Sequence, residues 1–171
     1  PIDLLFWNDD ATRMPEKMSS FYLREYYLKN RLCKPNDIEL AGYTIDLGCI
    51  KQPLYCVSAL EDHITPWKQV YRINDLVKSP VRFALSTSGH IAGVVNPPVD
   101  PPKRSFWAGT GNAALEPEAW QAQLEKQPGT WWSDWNEWLN ERCGEMVSPP
   151  KMGSKKFRPL ADAPGTYVLE S

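Results

Sequence analysis

Two short, almost uninterrupted apolar runs stand out along the chain, Leu54-Tyr55-Cys56-Val57-Ser58-Ala59 and Val81-Arg82-Phe83-Ala84-Leu85. They lack the alternation of a sheet wetted on one face, so they predict strands buried on both faces. Between them Thr65 caps, and Pro66 opens, a helix carrying Trp67, Val70, Tyr71 and Asn74. Strand, helix, strand with continuous apolar runs predicts an α/β architecture, a parallel sheet covered by helices. Upstream, Met18, Tyr22, Tyr26 and Leu32 fall on one side of a helix predicted over 15–32, with Pro35 just past its end. Residues 38–49, around Gly42, alternate over a short stretch and read as a small hairpin or loop excursion.

After Pro98 the pattern changes. Val99-Asp100-Pro101-Pro102 is a stiff connector and 108–112 is a turn-rich stretch. Helices are predicted over 116–127, with Pro117 near the start, and over 130–142, stopped by Gly144. In the second, Trp131, Trp135, Trp138 and Arg142 recur at spacings of four, three and four, which sets three indoles in one stripe. The stripe reads either as packing against the sheet or as a contact surface for a partner. Residues 148–156 are rich in Pro, Lys and Gly and read as an exposed tail, before 157–168 docks back. The chain thus falls into residues 1–98, which carry the apolar strands, and residues 99–171, a helical, Trp-rich extension of the same domain.

Composition narrows the class. A length of 171 residues fits one domain able to bury a core. A net charge of −2 supplies no basic field for nucleic acid. No apolar run approaches the ~20 residues that span a bilayer, and no signal peptide is legible. The chain opens at Pro1, without methionine, directly into dense apolar sequence, which reads as a piece of a longer protein.

The chemistry concentrates at the ends of the two apolar runs. The first leads into Glu61-Asp62-His63 and the second into Ser88-Gly89-His90-Ile91-Ala92-Gly93, which together hold both histidines of the chain. Ser88, Gly89, Ala92 and Gly93 leave room for a substrate beside His90. An Asp and then a His, each just after consecutive strands, is the order of the last two triad members in the α/β-hydrolase fold. Each residue also has a plainer role: Asp62 as the cap of the turn after its strand, His90 as a hydrogen-bonded loop histidine. His63 competes as base, but neighbours in an extended segment point in opposite directions, so it is placed behind the site rather than in it. Trp7 and Phe6 suit a substrate passage or the core, and Asp10 suits the site or an Asx turn. The four cysteines, Cys33, Cys49, Cys56 and Cys143, form no C-x-x-C pair, so no metal site is expected.

Leu5-Phe6-Trp7-Asn8-Asp9-Asp10-Ala11-Thr12, Glu61-Asp62-His63-Ile64-Thr65-Pro66-Trp67 and the His90 segment resemble poly(3-hydroxyalkanoate) synthases in order and spacing. So do Lys103-Arg104-Ser105-Phe106-Trp107 and Pro128-Gly129-Thr130-Trp131-Trp132, and the resemblance runs on to Ala163-Pro164-Gly165-Thr166-Tyr167-Val168. It is nearest the short-chain, class I branch. Members are much longer than this chain, so the resemblance implies the C-terminal part of an α/β-hydrolase-fold catalytic domain, its sheet mainly parallel.

The resemblance implies polymerisation of (R)-3-hydroxyacyl-CoA thioesters, such as 3-hydroxybutyryl-CoA, into polyhydroxyalkanoate with release of coenzyme A. The nucleophile implied is a cysteine in a G-x-C-x-G elbow, and none of the four cysteines here sits in one. Thioester exchange needs a thiolate, and a free cysteine, with pKa ~8.5, can yield its proton to an imidazole. His90 is implied as that base, with Asp62 holding its tautomer or deprotonating the 3-hydroxyl directly. Trp7, Asp10, Ile91, Ala92 and Gly93 are implied in the substrate pocket. No metal or other cofactor is implied beyond the CoA thioester substrate. The implied partners are the growing polyester, the missing N-terminal portion, a second subunit and the polymer granule, in the bacterial cytoplasm. The alternatives are another α/β-hydrolase-fold esterase or depolymerase, with a G-x-S-x-G elbow, or a non-catalytic piece acting in dimerisation or granule binding.

Overall fold

The structure is a computed structural model that describes residues 13–162, 165–166 and 169. The chain divides into two compact units, Pro1–Glu137 and Trp138–Ser171. In the first, the helix expected over 15–32 is built in pieces. Helix α1 (Glu16–Phe21) runs directly into a π-helix at Tyr22–Leu28, and Asn30, left-handed at φ 49°, leads into a 3-10 turn at Arg31–Cys33. The wider π turn brings residues five apart together: Phe21 meets Tyr26 and Tyr22 meets Tyr27, with ring centroids 6.0 and 5.3 Å apart. None of these helical residues is buried, so the aromatic stripe packs on itself and not against the core.

The hairpin forms as expected. Strands β1 (Ile38–Leu40) and β2 (Tyr43–Ile45) pair antiparallel with Leu40 opposite Tyr43. Their two-residue turn places Ala41 and Gly42 at φ 52° and 84°, the positive values that a tight hairpin of this hand requires.

The apolar runs become β3 (Leu54–Ala59) and β4 (Val81–Ser86), paired in parallel from Leu54↔Val81 to Ala59↔Ser86. Between them lie the short helices α2 (Trp67–Tyr71) and α3 (Ile73–Leu76). Pro66 stands at the N-terminal boundary of α2 without a side-chain cap. The Thr65 hydroxyl, expected as that cap, donates to Asp62 instead.

The sheet then departs from the mainly parallel expectation. Helix α4 (His90–Val94) follows β4, and β5 (Ser105–Thr110) returns antiparallel to β4. Strand β6 (Gln127–Pro128) pairs antiparallel with β5, giving a mixed sheet in the order β3-β4-β5-β6. Residues 105–110 therefore form a strand within a region expected to be turn-rich and helical. Gly109 obscured this, since glycine is a poor strand former. In the structure its missing side chain lets Leu124 approach, because a Cβ there would lie 2.8 Å from a Leu124 methyl.

Both faces of the sheet are covered. On one face Tyr71, Phe83 and Trp120 form a triangle of rings with centroids 5.2 Å apart, joined by Trp67 and Leu85. Trp120 belongs to α5 (Pro117–Ala122). On the other face Ala84, Phe106 and Ala108 pack with Tyr55 and with Trp131 of α6 (Trp131–Asn140). The tryptophan stripe is thus shared between roles: Trp131 packs on the sheet, while Trp135 is 39% exposed.

In the second unit the Arg142 guanidinium lies 4.3 Å over the Trp138 ring. Phe157 and Leu160, expected to dock back, are exposed. Among the described residues no helix is long and apolar enough to cross a membrane.

Candidate active site

Because β3 and β4 are parallel and in register, the segments that follow them emerge side by side. Backbone bonds then stitch the two segments together, Leu60 N–H to Ser86 O at 2.8 Å and Glu61 N–H to Ser88 O at 3.0 Å. Ser88 adopts φ 84°, a left-handed conformation that a serine reaches only at some cost in strain, and the chain turns there into α4. His90 is the first residue of that helix, not a loop residue. Gly93 rests α4 directly on the end of β3: a Cβ would lie 2.5 Å from Ala59 Cβ and 3.2 Å from Thr87 O. Its contribution is this close approach, and it is buried. Ile91 is exposed and Ala92 half-buried.

The two turns deliver Asp62 Oδ2 to 2.8 Å from His90 Nδ1. Asp62 is also the turn cap that its position suggested. Its Oδ1 accepts the N–H groups of Ile64 and Thr65 at 2.9 and 2.8 Å, and Oδ2 accepts the Thr65 hydroxyl at 2.7 Å. A carboxylate offers about four acceptor positions, and with the His90 ring all four are filled. Burial by itself would raise the Asp62 carboxyl. The Thr65 N–H, the His90 ring, the Thr65 hydroxyl and the Ile64 N–H outweigh it and hold the carboxyl well below the usual carboxylate range. An ionised carboxylate can only accept, so His90 Nδ1 carries a proton, which leaves Nε2 as the nitrogen that can exchange one. The Asp62 side chain is 3% exposed and that of His90 40%, so the carboxylate is sheltered while the ring remains open.

This lowering has a consequence for acid stability. The folded-state value lies below the unfolded one of ~3.9, so Asp62 stabilises the fold fully above that pH and loses the contribution as pH falls through the folded value. Asp62→Asn is therefore expected to cost stability at neutral pH and progressively less as the pH drops below ~4. Denaturant midpoints at pH 7 and in strong acid measure this, and an equal penalty at both would contradict it.

Other residues marked out by the sequence lie outside this pair. His63 is exposed and makes no hydrogen bond among the described residues. Trp7 and Asp10 lie outside the described residues. Cys33, Cys49 and Cys143 are exposed, and burial pushes the Cys56 thiol in β3 up to about 11, the opposite of an activated nucleophile. Among the described residues no group of three His, Cys, Asp or Glu is arranged to hold a metal ion. Thr65, expected as a helix cap, has a role that sequence reasoning missed, as a double donor to Asp62. The signal was the Asp-x-x-Thr spacing after a strand, in which a short carboxylate can collect local donors.

No protein-family model matches the chain. It is 42% identical over 170 residues to the poly(3-hydroxyalkanoate) polymerase subunit PhaC of Cupriavidus necator, covering 98% of this chain and 28% of that protein. To the subunit of the same name in Rhizobium etli it is 44% identical over 170 residues, covering 99% and 26%. To poly(3-hydroxyalkanoate) polymerase 1 of Ectopseudomonas oleovorans it is 39% identical over 171 residues, covering 98% and 30%. The chain thus spans between 26% and 30% of the length of these curated relatives. Identity is sustained along practically all of this chain's own length, so the chain is similar throughout to a part of these poly(3-hydroxyalkanoate) polymerases.

Proposed function

We propose that the chain supplies the base of an acyl-transfer site in a polymerase that joins (R)-3-hydroxyacyl units, delivered as coenzyme A thioesters, into polyhydroxyalkanoate. The observation that carries this is the 2.8 Å contact of His90 Nδ1 with an ionised Asp62, at the adjoining ends of two parallel strands. With Nδ1–H engaged, Nε2 is the basic nitrogen. In this reading it takes the proton of a cysteine thiol supplied from outside the chain. The thiolate attacks the acyl carbonyl, the bond from acyl carbon to CoA sulfur breaks, and the departing CoA thiolate takes that proton back. The same nitrogen then accepts the proton of a 3-hydroxyl, whose oxygen attacks the enzyme thioester to form the ester bond and free the cysteine.

Asp62 orients the imidazole and stabilises its cationic form. Its filled acceptor positions favour that role over direct deprotonation of the hydroxyl. The chain in this reading is the C-terminal part of an α/β-hydrolase-fold catalytic domain of the short-chain, class I type, working as a homodimer on polymer granules in the bacterial cytoplasm. Coenzyme A release from 3-hydroxybutyryl-CoA is expected from a mixture of this chain with the rest of the polymerase, and from neither piece by itself. Release by the 171-residue chain alone would overturn the proposal.

A further inference from the structure

The helix that carries His90 is too short to hold itself in place. Helix α4 has five residues, far below the ~12–15 at which isolated helices become even marginal. Its first turn is fixed by the Asp62 contact and by the seat of Gly93 on Ala59. Its far end is fixed from α6 and from the turn that precedes α6. The Trp131 indole donates Nε1–H to Val94 O at 3.1 Å, and the buried Asn96 donates Nδ2–H to Gly129 O at 3.4 Å. Val94 is four residues beyond His90, so a shift at its carbonyl tilts the whole helix and with it the imidazole.

Helix α6 is itself pinned to the sheet. Asp134, one turn beyond Trp131, accepts the Tyr55 hydroxyl at 2.8 Å and Arg82 Nε at 3.1 Å, with Arg82 Nη2 as a further donor. Tyr55 and Arg82 are register partners on β3 and β4, the two strands that lead to Asp62 and His90. The Asp134 side chain is 12% exposed and that of Arg82 31%. A sheltered ion pair contributes little net stability over well-packed apolar side chains, but it fixes one arrangement of the elements it joins. Here it fixes where the Trp131 indole meets α4.

We propose that Trp131 is a positioning residue for His90, its indole N–H holding the far end of α4 at a point set by Asp134 on Tyr55 and Arg82; this rests on the catalytic reading of His90. Misplacement of a catalytic group by about 1 Å costs on the order of 10²-fold in rate, so a partial release of α4 is expected to cost about tenfold.

The test uses the complete polymerase carrying this segment. Trp131→Phe keeps a ring against Ala84 and Phe106 but has no N–H to give Val94. Trp120→Phe is the matched control, because it loses an indole bond of 3.0 Å to Thr110 O within the other face of the core. Trp131→Phe is expected to lower kcat about tenfold at unchanged KM, with no greater fall in Tm than Trp120→Phe, which keeps its kcat per folded molecule. Should Trp131→Phe fail to fold, Asp134→Asn is expected to lower kcat in the same sense. A folded variant with undiminished kcat overturns the positioning role. His90→Ala assayed alongside separates the two ideas. Full activity there overturns the catalytic reading and the inference with it, whereas an inactive His90→Ala beside a full-rate Trp131→Phe overturns the inference alone.

Discussion

Replacing His90 by alanine in the complete polymerase is expected to abolish coenzyme A release, a fall of about 10³-fold or more. The size follows from what the imidazole does: without it a thiol of ordinary pKa has no partner to take its proton, and the hydroxyl of the next unit has none either. His63→Ala is expected to leave most of the activity, since His63 is exposed and lies outside the Asp62 network. The contrast is informative because His63 directly follows Asp62 in the chain, whereas His90 is the histidine that contacts its carboxylate. Asp62→Asn belongs with the larger effect. The amide would still collect the Ile64 and Thr65 donors at Oδ1, so the turn should survive. Its amide group facing His90 no longer fixes the Nδ1–H tautomer, a change worth ~10⁴ in the serine-protease template. Comparable KM values in the three variants, with loss confined to kcat, would place the effect in the chemical step.

The second large effect concerns association. The isolated chain is expected to self-associate, and the rest of the polymerase to suppress this. In the parallel ladder Leu54 and Leu60 donate to Pro80 and Ser86, so their register row faces β4 and the backbone groups of Val57 and Ala59 face the other way. Among the described residues no strand pairs on that side, and β3 is the edge of its sheet. An edge of apolar sequence is a template for another chain. Helix α1 and the π-helix after it add apolar surface: Leu23 is 55% exposed, Tyr27 73% and Leu28 78%. The relatives exceed this chain by more than twice its own length. Sedimentation of a dilution series is expected to show concentration-dependent assemblies that the paired Leu23→Lys, Leu28→Lys substitution reduces. These exposed positions should change folding stability by no more than about 0.5 kcal/mol. A dilution-resistant monomer with cooperative unfolding would contradict the expectation.

The sequence made the strand-helix-strand unit legible because its strands are buried on both faces and so read as continuous apolar runs, free of confusion with a helical period. Positions in the hairpin were legible for the same kind of reason, Gly42 marking a turn of positive φ. What escaped was decided by packing that the local pattern of apolar positions does not show. Strand β5 carries Gly109, which looks like a breaker until Leu124 is seen filling its space. The helix at 15–32 shows an apolar period that normally means a buried face, yet its rings pack on one another through a π turn.

The site divides in the same way. Asp62 and His90 could be paired from their matched positions after consecutive strands, whereas the role of Thr65 required knowing that Asp62 turns back toward its own loop. The bracing of α4 by Trp131 spans 37 residues, and a tryptophan stripe by itself cannot say which of its indole N–H groups finds a carbonyl.

The dependence of His90 on Asp62 is measured most directly by coenzyme A release in the complete polymerase across the cycle of Asp62→Asn, His90→Ala and the double variant. If Asp62 acts through His90, the double variant should be no slower than His90→Ala alone, because an aspartate with no imidazole to orient has nothing further to lose. Independent, multiplying losses from the two substitutions would contradict the assignment of Asp62 and His90 as one functional pair.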